Sequence, residues 1–90
     1  MSVESKVIEL SLEKRICDVL QLDSSEVRCL YQLTPSRPDA KRWYYTATVD
    51  GWVKLINDLY ERAGGGWDPD CSVSRSTAER LQVRLEKALA

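Results

Sequence analysis

The segment DGWVKLINDLYERAGGG, residues 50–66, constrains the fold more than any other part of the chain. Trp52, Leu55, Ile56, Leu59, Tyr60 and Ala63 recur at three- and four-residue spacing, so on a helix they form one broad apolar stripe that must be buried against something else. Asp50 is placed to cap the amino end, and Arg62 complements the negative pole of the helix dipole near the other end. Gly64, Gly65 and Gly66 supply the left-handed conformation in which helices commonly stop. Trp67, Asp68, Pro69 and Asp70 then read as an irregular loop. Whatever covers the stripe must come from the rest of a chain of 90 residues, 43% of them apolar. That content suits one small domain over residues 1–90, which at this size buries roughly 60 to 65% of the surface its unfolded chain exposes. Little area is left for an enclosed substrate pocket.

The periodicity over Ser2 to Gln21 predicts a helix covered on two sides: Ile8, Leu12, Ile16 and Val19 share one face, and Val3, Val7, Leu10 and Cys17 form a weaker second one. The alternation of Ile8, Leu10 and Leu12 also permits a short strand followed by a helix capped at Ser11. LDSSE ends the segment either way. Val27, Cys29, Tyr31 and Leu33 then alternate with Arg28, Leu30 and Gln32, and Trp43, Tyr45, Ala47 and Val49 alternate with Tyr44, Thr46 and Thr48. Both runs read as strands, joined through TPSRPDAKR into an antiparallel hairpin with a long, proline-bearing loop. A hairpin alone is unstable in water, so helices must cover it. Ser76 with Glu79 forms a capping box that starts a last helix reaching about Leu89, with Ala78, Leu81, Leu85, Ala88 and Leu89 as its core face. The expected architecture is therefore α+β, three helices packed on a two-stranded antiparallel hairpin in the order α-β-β-α-α.

Several chemistries are disfavoured by what the chain lacks. It has no histidine, which removes the usual general base near neutral pH, the commonest metal ligand, and with them His-dependent triads and HExxH metalloprotease chemistry. Cys17, Cys29 and Cys71 are an odd number without a C-x-x-C pair, so reduced thiols are expected rather than a disulfide framework or a zinc ribbon. Cys71 is the best candidate nucleophile, near the positive end of the last helix, yet it has no histidine to activate it. AGGGWD lacks the G-K-[ST] and immediate helix of a phosphate-binding loop, and Asp68 with Asp70 lack a spaced third ligand for a calcium loop. No catalytic residue, cofactor or metal is expected. No apolar run approaches the roughly 20 residues of a membrane span, and MSVESKVIEL lacks the features of a secretory signal. The chain is expected to be complete, cytoplasmic and without membrane contact.

What remains is surface. On the last helix Arg80, Arg84 and Lys87 line one side while Glu79 and Glu86 lie on another, so no favourable ion pair forms among them along the helix. Such a segregated stripe serves as a plain solvated face, or it answers to an anion elsewhere in the fold or on a partner. VSRST, residues 73–77, resembles the start of the recognition helix in bacterial helix-turn-helix regulators over about ten residues. The resemblance implies base and phosphate contacts from Arg75, Ser76, Thr77 and Arg80. That family joins its two helices by about three or four residues, whereas GGGWDPDCSVS follows Ala63 here. In the hairpin, Arg37, Lys41 and Arg42 stand beside Trp43, Tyr44 and Tyr45, a mixture suited to single-stranded nucleic acid, although the parity of Trp43 and Tyr45 places both in the core and leaves Tyr44 outside. Pro35 and Pro38 make one P-x-x-P, a weak match to an SH3 ligand.

Two expectations of different class follow. The first is a non-enzymatic regulator, adaptor or inhibitor that docks a larger protein, with Arg75, Arg80, Arg84, Lys87, Arg37, Lys41, Arg42, Tyr44 and Trp67 as contact residues. It leaves room for a homodimer through the second apolar face of the first helix. The second is a DNA- or RNA-binding regulator using the basic residues of the same set. The net charge of −1, from 13 Lys and Arg against 14 Asp and Glu, favours the first, because nucleic-acid modules of this size are usually basic.

Overall fold

A computed structural model describes residues 6–38, 41–64 and 70–90, the side chains of Pro38, Asp70 and Cys71 excepted. The chain folds as β1 (Val7–Glu13), α1 (Lys14–Leu20), α2 (Ser25–Leu30), β2 (Thr34–Pro38), β3 (Arg42–Thr48), α3 (Val49–Gly64) and α4 (Asp70–Leu89). The strands form one antiparallel sheet in the order β1-β3-β2. The α+β class expected from the sequence is correct, with a third strand and a fourth helix that the expected layout lacks.

The first segment is a strand and a short helix, not one long helix. Ile8, Leu10 and Leu12 are buried while Val7 and Glu9 are exposed, because β3 offers a seven-residue ladder running from Val7 opposite Thr48 to Glu13 opposite Arg42. The ladder satisfies backbone groups and faces alternate residues inward, so the two-residue period prevails over the helical one. The strand runs through Ser11 to Glu13, and Glu13 occupies the N-cap position of α1 without a side-chain bond, which corrects the expected cap at Ser11. The expected second apolar face does not exist as a helix face: Leu10 and Cys17 are in the core, Val7 is exposed on a strand, and Val3 lies outside the described residues.

Residues 25–30 form a helix where a strand was expected. β1 and β2 occupy both sides of β3, which leaves the central strand no free edge for residues 27–33. Ser24 has the extended backbone of an N-cap, Glu26 sits in the first turn and Arg28 in the last, an arrangement that suits the helix dipole. Both short helices stop in the same way. Gln21 (φ 58°) and Gln32 (φ 56°) adopt the left-handed conformation, and Leu22 N–H to Cys17 O and Leu33 N–H to Arg28 O close the turn at 2.9 Å each, the bonding of a Schellman stop built on glutamine in place of glycine. The first half of the expected connector is strand β2, on the sheet edge where prolines are tolerated. Its pairing slips between Pro35 and Arg37.

α3 is the expected helix, entered two residues earlier. Thr48, not Asp50, caps it: the Gly51 N–H donates to Thr48 Oγ1 at 3.2 Å, and Asp50 lies in the first turn. Trp52, Leu55 and Leu59 are fully buried, and the Trp52 indole N–H donates to the Ile8 carbonyl at 2.9 Å, tying α3 to β1. α4 begins at Asp70, so Ser76 and Glu79 are interior to a 20-residue helix and form no capping box at its start. Its buried stripe is Ser74, Thr77, Ala78, Leu81 and Leu85, while Ala88, expected in the core, is exposed. Tyr60 of α3 donates to Gln82 of α4 at 3.1 Å. The core thus lies between one sheet face, carrying Ile8, Leu10, Leu12, Tyr45 and Ala47, and the α3–α4 pair. Among the described residues no helix is long and apolar enough to cross a membrane.

Candidate functional site

Two places in this fold combine surface access with unusual chemistry. The first joins residues that the sequence offers separately. β3 begins with Arg42, which sits opposite Glu13 in the ladder, and α4 runs past the same end of the sheet. Arg42, Arg80 and Arg84 consequently line one small cavity together with Ser11, Glu13 and Thr77. Arg80 Nη1 lies 3.1 Å from Glu13 Oε1, with both side chains about half exposed. Arg84 Nη1 donates to the Ser11 carbonyl and hydroxyl oxygens at 3.4 and 3.3 Å. Arg42 Nε is buried and has no hydrogen-bond partner among the described residues. The segregated charge of α4 is thus answered partly within the molecule, by Glu13.

The second place is a cleft of about 200 Å³ between α1, the turn that follows it, and the β2–β3 pair, with Cys17, Leu22, Pro35, Trp43 and Tyr45 among its lining. Trp43, expected in the core, is 38% exposed. It has the inward parity of Tyr45 but stands one pair further along the strand, opposite Leu12, where the cleft opens. Lys14, Asp18, Asp23 and Arg28 give the cleft a mixed charged rim, and Arg28 Nη1 donates to the Leu22 carbonyl at 2.6 Å, which holds the turn after α1. Burial pushes the Cys17 thiol above its ordinary range, against a smaller downward pull from the hydrogen bond with Tyr45. Burial also raises Tyr45 to about 12, with the neighbouring Cys17 adding to the effect. A desolvated thiol beside a protonated phenol is a poor nucleophile.

The remaining residues singled out from the sequence are dispersed. Arg37 stacks 4.3 Å from the centre of the Tyr44 ring and lies 3.7 Å from Glu9, on the sheet face away from α3. Tyr44 is therefore half-buried, with the guanidinium over one face of its ring. Lys41, Arg75 and Lys87 are exposed and line neither site. Thr77, assigned a nucleic-acid contact by the helix-turn-helix resemblance, is buried, and residues 73–77 lie inside α4 rather than at its start. Trp67 and Asp68 lie outside the described residues, as do the side chains of Asp70 and Cys71. Among the described residues no group of three His, Cys, Asp or Glu side chains could hold a metal ion. Sequence reasoning missed Ser11, Glu13, Cys17, Leu22 and Pro35 as lining residues. Nothing in their spacing marks them, since each reaches its site only through the ladder or the turn after α1.

No protein-family model matches the chain, and neither a curated protein nor a solved structure matches it.

Proposed function

We propose that this chain is a non-enzymatic protein-binding module, a regulator, adaptor or inhibitor, that docks a larger protein by seating one of its apolar side chains in the Trp43 cleft. The observation that carries this is Trp43 itself: a large amphipathic ring half out of the core at the mouth of a mainly apolar opening of about 200 Å³. That volume is of the order of one large side chain, and tryptophan beside a desolvated pocket is the commonest kind of energetic anchor in protein interfaces. The raised Cys17 and Tyr45 argue against proton transfer or nucleophilic attack in the same cleft near neutral pH.

The test is capture from nuclease-treated lysate by the tagged chain and by its Trp43→Ala variant, with folding checked by circular dichroism. One protein held by the unaltered chain and lost from the variant is the expected result. An identical set on both, or turnover of a substrate by purified chain, defeats the proposal. The convergence of Arg42 on Arg80 and Arg84 favours a second reading, a DNA- or RNA-binding regulator. It requires a gel shift at low salt that weakens steeply with added salt and disappears on charge reversal at Arg80 and Arg84.

A further inference from the structure

We propose that the cavity walled by Arg42, Arg80 and Arg84 is a binding site for a dianionic phosphoryl group, either inorganic phosphate or the terminal phosphate of a small phosphomonoester. The site does not depend on docking at the Trp43 cleft. Three guanidinium groups and one carboxylate, Glu13, line this cavity, so the lining carries a formal +3 − 1 = +2. The ion pair that offsets it is at the surface, where such pairs are weak. Among the described residues Arg84 meets only neutral Ser11 acceptors, and at long range. Arg42 Nε is out of solvent with no acceptor among the described residues, a condition that is destabilising when it persists. The cluster therefore holds positive charge and donor capacity that the described fold does not consume.

The dimensions and the donor chemistry select the ligand. The innermost space is about 10 Å³, close to the roughly 10–15 Å³ that admits a single oxygen-sized group. It shares Glu13, Thr77 and Arg80 with an open depression of about 270 Å³ that also has Ser72 and Ser76 in its wall. One phosphate oxygen enters the innermost space beside Arg42 and Arg84, and the other oxygens and any ester group lie in the depression near Arg80 and the α4 hydroxyls. A dianion neutralises the +2 lining, and three unesterified oxygens match three guanidinium forks. A carboxylate brings one charge and two oxygens. A phosphodiester in a nucleic-acid strand also brings one charge and two free oxygens, and its affinity comes from a track of cations rather than a single cavity. A water molecule in the cavity would leave the charge in place.

The experiment follows the arginine Nε–H cross-peaks of the ¹⁵N-labelled full chain by NMR at fixed pH and ionic strength. Inorganic phosphate is titrated first and phenyl phosphate second, with sodium chloride and a short oligonucleotide as parallel arms. Saturable movement of the Arg42 Nε–H signal with both phosphates and not with chloride is the expected result. Arg84→Gln and the charge-conserving Arg42→Lys should each weaken the phosphate about ten-fold or more, as loss of a charge-assisted hydrogen bond implies. Arg75→Gln, outside the cavity, should leave affinity within about two-fold, a difference of only ~0.4 kcal/mol. If Arg84→Gln does not fold, Arg84→Lys takes its place, with the same direction expected. The site is refuted if phosphate shifts match those from chloride, if Arg75→Gln weakens binding as much as the cavity variants, or if the oligonucleotide binds and both phosphates do not.

Discussion

Replacing Gly51 with alanine should destabilise this protein, although the same change inside an ordinary helix stabilises it by about 1 kcal/mol. Gly51 lies in the first turn of α3, and a Cβ built there would stand 2.1 Å from the main-chain oxygen of Tyr31 and 3.2 Å from its carbonyl carbon. Real Cβ contacts essentially never fall below 3.0 Å, so α3 and Tyr31 must separate by at least 3.0 − 2.1 = 0.9 Å. The obstacle is backbone, which cannot rotate away as a side chain can. Tyr31 is also held to α3 a second time, through its hydroxyl, which donates to Asp58 Oδ2 at 2.5 Å two turns further on. Overpacking of this kind costs typically ~1 to 3 kcal/mol and sometimes more. Because the obstacle is backbone, the cost falls at the upper end, ~3 kcal/mol; returning ~1 kcal/mol of helix propensity leaves a net loss of about 2 kcal/mol, and at ~4–8 °C per kcal/mol for a domain this small the midpoint should fall by about 8 to 16 °C. Thermal and urea unfolding measure it. Gly64→Ala is the internal control, because a Cβ there meets nothing within 4 Å, and it should leave stability unchanged or raise it by up to about 1 kcal/mol. A Gly51→Ala protein as stable as the parent would refute the close approach of α3 to Tyr31.

The chain has four tyrosines; two of them, Tyr31 and Tyr45, are raised to about 12, each mainly by burial, Tyr31 further by its bond to Asp58. Below pH 10 these phenols are protonated whether the chain is folded or not, and between about 10 and 12 the unfolded chain loses protons that the folded one keeps. Stability should therefore fall as pH rises through that window, and absorbance titration at 295 nm should show Tyr31 and Tyr45 ionising late; their ionisation near 10 would contradict their burial. In a Cys71→Ser background, a thiol reagent should label exposed Cys29 promptly and buried Cys17 only on unfolding, so rapid labelling of both would show that the cleft exposes Cys17. Trp52→Phe removes the indole bond to the Ile8 carbonyl from a fully buried position. A loss of about 2 to 3 kcal/mol in urea unfolding is expected, and a loss under ~1 kcal/mol would place little weight on that link between α3 and β1.

The sequence by itself determined the elements whose information is local and whose apolar period is unambiguous. The stripe from Trp52 to Ala63 dictates α3, the two-residue alternation from Trp43 to Val49 dictates most of β3, and the run Ala78, Leu81 and Leu85 dictates the buried side of α4. It also removed imidazole chemistry outright, since no histidine is present. Only the tertiary structure decided between periods where two were present. Ile8, Leu10 and Leu12 satisfy both a strand and a helix face, and the free edge of β3 made them a strand. The run from Val27 to Leu33 satisfies a strand, but β1 and β2 had taken both edges of β3, so its first part closed into α2. Glutamines at the left-handed positions hid the stops of α1 and α2, because glycine is the residue that normally advertises them. The same long-range pairing fixed the candidate sites. Glu13 opposite Arg42, with α4 passing alongside, assembles the arginine cavity from residues up to 73 positions apart, and a pairing of that span depends on which strand edge is free, a property of the whole fold and of no local stretch.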